Sequence, residues 1–291
     1  MKVIEVTMFK KIAILLEMIK FKHTVFALPF ALMGSFLAGR SVPDAVTIGW
    51  IIVAMAGART SAMGFNRIVD RRFDLKNPRT ANRAIPAGEV KLWEAWAMVL
   101  LSAGLFFFAC YNLNELTLII SPFALALTFF YSLTKRFTWL CHIVLGAALA
   151  FSPLGGWVAV NGSLIGYPYV LSIGVLFWVA GFDTIYACLD AEFDRRAGLF
   201  SLPATLGSSG AFKLAVLLHI IAFILFTLTG YQMNLHFIYY SGVTITAGAL
   251  FYQHLIVTPA DLSRIKMSFF SMNGLISLTL FGATWLDLIF L

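Results

Sequence analysis

Residues 45–83 read AVTIGWIIVAMAGARTSAMGFNRIVDRRFDLKNPRTANR, a long apolar run that passes directly into a dense group of charges. A helix that crosses a bilayer needs about 20 mostly apolar residues. The first half of this stretch therefore predicts a membrane span. The second half carries Asp70 and Asp74 among several basic residues, which predicts that the helix leaves the bilayer at a charged face.

The composition of the whole chain extends this prediction. Of the 291 residues, 60% are hydrophobic and 12% are charged, and the mean hydropathy is +0.87. Soluble domains carry about 25% charged residues, so we predict an all-α integral membrane protein with nine transmembrane helices. The nine apolar windows are approximately 24–39, 45–65, 93–111, 116–133, 139–160, 168–188, 211–230, 236–257 and 267–290.

The basic residues predict the orientation. The chain has 21 lysines and arginines. All except Arg40 and Arg59 lie before the first window or in and beside every second connection between windows, which puts them on one side of the membrane. Basic connections face the cytoplasm, so we expect the N-terminus inside, the C-terminus outside and a bundle cavity open to the cytoplasmic side. The net charge of +7 is thereby explained by a lipid bilayer partner, with no nucleic acid required.

Residues 1–22 indicate whether the N-terminus is a cleaved signal peptide, and the cysteines indicate whether disulfides or metal sites are expected. Residues 1–22 form an interrupted amphipathic pattern with lysines throughout, which favours a cytoplasmic interfacial segment over a cleaved signal peptide. The three cysteines lie in apolar runs without CxxC or Cys/His spacing, and the histidines show no metal-site spacing. We expect neither a disulfide framework nor a Cys/His metal site.

Two groups of aspartates have helical spacing. At about 100° per residue, Asn66, Asp70 and Asp74 share one helix face with Arg59. In FDTIYACLDAEFDRRAG at 182–198, the same calculation puts the three carboxylates on one stripe with Tyr186 beside it. These carboxylates are Asp183, Asp190 and Asp194.

Paired aspartates at a helix end are usually a solvated rim. Asp183, however, lies inside its predicted span, where a carboxylate is costly and by default functional. Mg²⁺ binds through one or two carboxylates plus substrate phosphates. The two groups therefore indicate a Mg²⁺–diphosphate site, and the bilayer suits a polyprenyl tail. A transporter with Arg59 and Asp183 as a coupling pair is the main rival, although acids near one face argue against a mid-membrane site.

These motifs resemble the UbiA superfamily of membrane-embedded prenyltransferases over nearly the whole chain, taken as one domain of residues 1–291. They are Asn66-x-x-x-Asp70-x-x-x-Asp74 followed by RTANRAIPAG, Tyr131-x-x-x-Lys135-Arg136, and Asp183-x-x-Tyr186-x-x-x-Asp190-x-x-x-Asp194. The resemblance implies Mg²⁺-dependent transfer of a polyprenyl group from its diphosphate to 4-hydroxybenzoate or a similar phenolic acid. It also implies ubiquinone or menaquinone biosynthesis in a prokaryotic inner membrane.

The resemblance suggests roles for the site residues, with 67–92 and 190–210 as cytoplasmic active-site loops. The expected metal ligands are Asn66, Asp70, Asp74, Asp190 and Asp194. The expected phosphate-binding residues are Arg72, Arg79, Lys135 and Arg136. Arg59 and Asp183 are expected to contact the acceptor or to orient a partner, or else to form a structural pair. Tyr131 and Tyr186 are expected to stabilise the cation or donate to phosphate, with packing as the alternative. The five aspartates are the expected catalytic residues.

Two departures from the family pattern leave alternatives open. Arg67 stands where the family often has a second acid, so the metal-ligand set can differ. The entry to the first span, KFKHTVFALPFAL, lacks the Asp-Lys-Pro sequence common in the hydroxybenzoate enzymes. It resembles a subgroup associated with 1,4-dihydroxy-6-naphthoate in the futalosine menaquinone route. A haem, chlorophyll or homogentisate prenyltransferase and a non-catalytic scaffold are further alternatives.

Overall fold

The computed structural model describes residue 11, residues 13–19 and residues 26–291. The described part is helical and contains no strand. Residues 13–18 are helical, and the later helices are numbered in chain order. They are α1 (Leu28–Gly39), α2 (Ala45–Lys76), α3 (Leu92–Leu113), α4 (Glu115–Thr134), α5 (Cys141–Asn161), α6 (Tyr169–Ala187), α7 (Ala191–Arg196), α8 (Leu202–Gln232), α9 (Phe237–Ile256) and α10 (Ile265–Phe290).

Seven segments of the described chain are long and apolar enough to cross a bilayer. They are α2, α3, α4, α5, the segment Tyr169–Arg196, α8 and α10. The other two predicted windows contain α1, which has 12 residues, and α9, which has 20. Buried polar side chains such as Thr246 and Gln253 make α9 less apolar. That α1 and α9 also cross the bilayer stays a prediction.

The boundary of α2 corrects the predicted loop at 67–92. The helix begins at an N-cap, where the Asp44 carboxylate accepts from the backbone N–H of Val46 (2.9 Å) and Thr47 (3.0 Å). It continues to Lys76 and ends at Asn77, whose backbone is extended. Asn77 precedes Pro78, and a residue before proline is disfavoured in the α conformation. The connection is therefore residues 77–91, and the first aspartate group lies on a helix.

The predicted loop at 190–210 is also largely helical. A 3-10 turn, Cys188–Asp190, joins α6 to α7, and residues 197–201 separate α7 from α8. The Ser201 hydroxyl accepts from the Ala204 N–H at 3.3 Å and caps α8. Only a short connection is left, so the second aspartate group is held by consecutive helical turns.

Small residues allow α1 to pack closely against α5. A Cβ atom on Gly156 would stand 1.8 Å from the Ala31 carbonyl oxygen, and one on Gly34 would stand 2.0 Å from that of Pro153. Any side chain at either position would force the helices apart. This is the usual way in which helices approach each other in membranes, where packing replaces the hydrophobic effect.

The described part of the N-terminal segment packs beside α2 and α3. Met18 and Ile19 are buried with Ile68 and Val99. The Lys11 ammonium lies 2.8 Å from the Glu94 carboxylate. The rest of the predicted amphipathic segment 1–22 lies outside the described residues.

Candidate functional site

The first aspartate group lies on the last turns of α2. The Asn66 amide donates to Asp70 Oδ2 at 2.9 Å, as a spacing of four residues allows on a helix. Asp70 is half-buried, and Asp74 is buried with 6% of its surface exposed. The predicted helical stripe is therefore present at Asn66, Asp70 and Asp74.

The second group departs from the predicted continuous α-helical stripe. Asp183 lies on α6, Asp190 ends the 3-10 turn and Asp194 lies on α7, almost fully buried. A 3-10 turn has about 3.0 residues instead of 3.6, so it changes the direction in which the later side chains leave the axis. The Asp183 carboxylate contacts His142, whereas Asp190 and Asp194 contact basic residues of two connections.

Two consecutive basic residues connect the aspartate groups. Lys135 and Arg136 follow α4 directly, and Arg136 donates to Asp70 Oδ1 at 2.8 Å. The Lys135 ammonium donates to Asp194 Oδ2 at 2.9 Å. The turn after α4 therefore contacts α2 through Arg136 and α7 through Lys135. The turn thus lies between the two aspartate groups.

The connection 77–91 adds three further contacts. Arg79 forms a two-pronged pair with the Asp190 carboxylate, with Nε at 2.8 Å from Oδ1. The Asn77 amide donates to the same oxygen at 2.8 Å. Arg83 donates to Asp74 Oδ1 at 2.7 Å. The connection is thus tied to both groups.

The carboxylates keep their basic partners charged. Burial lowers the pKa of Lys135, but the nearby charge of Asp194 and the hydrogen bond to it raise it further, so the pKa lies above its usual range. Burial likewise lowers the pKa of Arg79, and its hydrogen bond to Asp190 more than compensates. Both side chains are therefore cations at neutral pH.

The other predicted residues lie around these pairs. The Arg79 guanidinium is 5.7 Å from the centre of the Tyr186 ring, which packs 4.5 Å from the ring of Phe269. Arg59 and Tyr131 are half-buried on α2 and α4. Arg72 lies on the exposed side of α2, away from the direction in which the buried Asp74 points.

Sequence reasoning missed Asn77, Arg83 and His142. Asn77 and Arg83 lie in the quoted charged stretch, but nothing local assigns an aspartate to either. No other histidine stands at a metal-ligand spacing from His142, so the sequence assigns it no role. It is fully buried, and its Nδ1 lies 2.7 Å from Asp183 Oδ2. The available signal in the sequence was a polar side chain within an apolar window, which indicates a buried partner for His142.

Arg67, the departure from the family pattern, has a contact of its own. It is buried, with 7% of its surface exposed, and its Nε donates to the Met18 carbonyl at 3.2 Å. Its NH1 is 3.3 Å from Asn66 Oδ1. Arg67 therefore links the N-terminal segment to the first aspartate group.

The oxygen atoms of the site are suited as ligands to a hard cation. No group of three or more His, Cys, Asp or Glu side chains is gathered for a metal ion among residues 11, 13–19 and 26–291; the aspartates contact basic residues, an amide or a histidine. Asp74 Oδ2, however, is buried with no hydrogen-bond partner within that described part. A buried carboxylate oxygen without a donor is costly, and Mg²⁺ takes oxygen ligands of this kind. The residues fit Mg²⁺.

Comparisons with protein families and with curated proteins point to the same family. The UbiA prenyltransferase family matches residues 27–275. The 4-hydroxybenzoate octaprenyltransferase of Escherichia fergusonii is 31% identical over 236 residues, which cover 80% of this chain and 81% of that protein. The one from Sodalis glossinidius is 29% identical over 255 residues and 87% of each chain.

Solved structures share the fold. The apo structure of a UbiA homolog from Aeropyrum pernix K1 has a TM-score of 0.84 at 35% identity, covering 91% of this chain and 98% of that one. A UbiA homolog from Archaeoglobus fulgidus bound to GPP and Mg²⁺ has a TM-score of 0.68 at 20% identity, covering 93% and 99%.

Proposed function

The chain belongs to the UbiA prenyltransferase family, and from this premise we propose that it transfers a polyprenyl group from polyprenyl diphosphate to a phenolic acid. The acceptor is 4-hydroxybenzoate or a similar acid, the reaction depends on Mg²⁺, and the product enters ubiquinone or menaquinone biosynthesis. The observation that carries the proposal is the pair of aspartate groups joined by Lys135 and Arg136.

The diphosphate binds between the two groups. Arg79, Lys135 and Arg136 are already held there by carboxylates, so their charges are positioned before a substrate arrives. Arginine is suited to bidentate recognition of phosphate. The residues that would hold the metal are Asn66, Asp70, Asp74, Asp190 and Asp194. When bound, Mg²⁺ neutralises charge on the leaving oxygens.

The transfer replaces a C–O bond by a C–C bond. The bond between the prenyl C1 and the diphosphate oxygen breaks, and its electron pair leaves with the diphosphate, whose charge Arg79 and Arg136 stabilise. The ring carbon ortho to the acceptor hydroxyl bonds to C1, and its proton passes to the diphosphate. Tyr186, beside Arg79, and Tyr131 present ring faces that stabilise the allylic cation.

The acceptor lies deeper, between α2 and α6. Arg59 binds its carboxylate, because a guanidinium in a low-dielectric site is suited to a bidentate carboxylate. Asp183 contacts its hydroxyl. A second acceptor, 1,4-dihydroxy-6-naphthoate, is favoured by the entry to the first span, which lacks the Asp-Lys-Pro sequence. Both acceptors are phenolic acids, so the same residues serve either one.

The site faces the cytoplasm of a prokaryotic inner membrane. The connection 77–91 and the turn after α4 carry the basic residues that the orientation rule places inside, and they are the same residues that contact the aspartates. The N-terminus is then cytoplasmic and the C-terminus lies on the opposite side.

The proposal is tested with purified protein, radiolabelled prenyl diphosphate, Mg²⁺ and each phenolic acid in turn. We expect labelled prenyl acid and release of diphosphate, both abolished by a chelator. A protein that neither prenylates an aromatic acid nor releases diphosphate contradicts the proposed reaction. Movement of a phenolic acid across vesicles without chemical change would favour the transporter alternative.

A further inference from the structure

The imidazole of His142 connects three helices beside the proposed acceptor site. It lies in the first turn of α5, and Nδ1 is 2.7 Å from Asp183 Oδ2 on α6. On the other side of the ring, Nε2 accepts from the backbone N–H of Leu202 at the start of α8 (3.3 Å). The imidazole is fully buried, so both contacts are shielded from solvent.

These two contacts determine the tautomer. A backbone N–H can only donate, so Nε2 must present a lone pair to Leu202. The proton of a neutral imidazole is then on Nδ1, where it donates to the Asp183 carboxylate. His142 is therefore a donor to Asp183 with a fixed ring orientation.

The partner of Asp183 differs in kind from those of the other aspartates. Asp70, Asp74, Asp190 and Asp194 each pair with an arginine or a lysine. Asp183 pairs with a fully buried histidine that also contacts the backbone of Leu202. The imidazole contacts one carboxylate oxygen, Oδ2, so the other oxygen keeps its capacity to accept from a hydroxyl group.

Asp183 keeps part of its side chain accessible beside His142. Its side chain is 17% exposed, whereas His142 is not exposed at all. Tyr186 follows Asp183 by three residues on α6, and its ring lies 5.7 Å from the Arg79 guanidinium. In the proposed arrangement, an acceptor held by Asp183 is therefore near the bound diphosphate.

We propose that His142 is the positioning residue of the acceptor site: it holds Asp183 so that the second carboxylate oxygen accepts the hydrogen bond of the phenolic hydroxyl. This inference rests on the proposed transferase function. The hydrogen bond to a charged carboxylate increases electron density on the ring, and its direction places the ortho carbon toward the prenyl C1. His142 acts through Asp183 and does not touch the substrate.

The test compares His142→Leu, which removes the donor, with His142→Asn, which keeps an N–H near the position of Nδ1. We expect His142→Leu to lower kcat/KM for the phenolic acid by about 10-fold or more, because the hydrogen bond that orients the charged carboxylate is lost. The KM for prenyl diphosphate should be unchanged. His142→Asn should restore part of the acceptor kinetics.

His254→Leu is the matched control, because it removes an imidazole on α9 whose hydrogen-bond partner is another histidine, His219 (2.8 Å). It should leave the acceptor kinetics unchanged. Equal losses for both substrates in His142→Leu, or no loss for the acceptor, would overturn the positioning role while the wild-type activity still supported the proposed function.

A spectroscopic measurement tests the inference without activity. In ¹⁵N-histidine spectra of the purified full chain at neutral pH, the signal absent from His142→Asn identifies His142. We expect a proton on Nδ1 and a shifted signal in Asp183→Asn. A ring without a proton on Nδ1, or a signal that is unchanged in Asp183→Asn, would refute the arrangement even if the wild type showed no transfer.

Discussion

Arg136 donates to the Asp70 carboxylate at 2.8 Å across 66 positions of sequence, and the same guanidinium nitrogen contacts the Val69 carbonyl at 3.0 Å. Its other terminal nitrogen contacts the Ser132 carbonyl at 2.7 Å. One side chain thus closes the turn after α4 onto the last turns of α2. The proposed diphosphate site depends on this junction, because the preceding residue, Lys135, contacts the opposite aspartate group.

Replacing Arg136 by lysine should weaken prenyl diphosphate binding although the charge is kept. An ammonium cannot reach two carbonyls and a carboxylate in the directions that a planar guanidinium does. We expect KM for prenyl diphosphate to rise about 10-fold, the equivalent of one charge-assisted hydrogen bond. Arg264→Lys, at an exposed position, is the control. Unaltered diphosphate kinetics would show that charge alone is sufficient at position 136.

Removing one aspartate from either group should strongly reduce turnover. Asp70→Ala and Asp190→Ala each remove a proposed metal ligand and leave a basic side chain unpaired, so we expect kcat to fall by about 100-fold or more. Asp261→Ala is the matched control, because Asp261 is exposed and its carboxylate accepts from a neighbouring backbone N–H (2.9 Å). Membrane insertion is checked by protein yield in the membrane fraction. Near-normal rates in both site variants would contradict the metal assignment.

Arg59→Ala should affect only acceptors that carry a carboxylate. Without the guanidinium, we expect KM for the phenolic acid to rise about 10-fold, while KM for prenyl diphosphate stays constant. A phenol of similar size without the carboxylate is the internal control, and its kinetics should be the same in the variant and the wild type. Equal effects on both acceptors would assign Arg59 a structural role.

Arg67→Leu should release the N-terminal segment from α2. The substitution removes the hydrogen bond to the Met18 carbonyl, so we expect faster hydrogen exchange at residues 13–19. Arg71→Leu is the matched control, since Arg71 donates within its own helix to the Ile68 carbonyl at 2.8 Å. Identical hydrogen exchange of residues 13–19 in the two variants would show that Arg67 does not anchor this segment.

Some of the site followed from local patterns. Asn66, Asp70 and Asp74 share a face because residues four apart meet on any α-helix, and the structure keeps that helix continuous. The same reasoning was incomplete for 183–194, because it assumed an unbroken α-helix. The 3-10 turn Cys188–Asp190 separates Asp183 from the two later aspartates, and no residue in LDAEFD marks that turn.

The sequence by itself determined the membrane class and the approximate positions of most helices, and it predicted the aspartates and several basic residues of the candidate site, because hydropathy, helical period and motif spacing are properties of neighbouring residues. Only the tertiary structure decided which partner each carboxylate has: Arg79 for Asp190 across 111 positions, and His142 for Asp183 across 41. Many basic residues are candidates for each aspartate, and the choice among them depends on how the helices pack, which local periodicity does not encode.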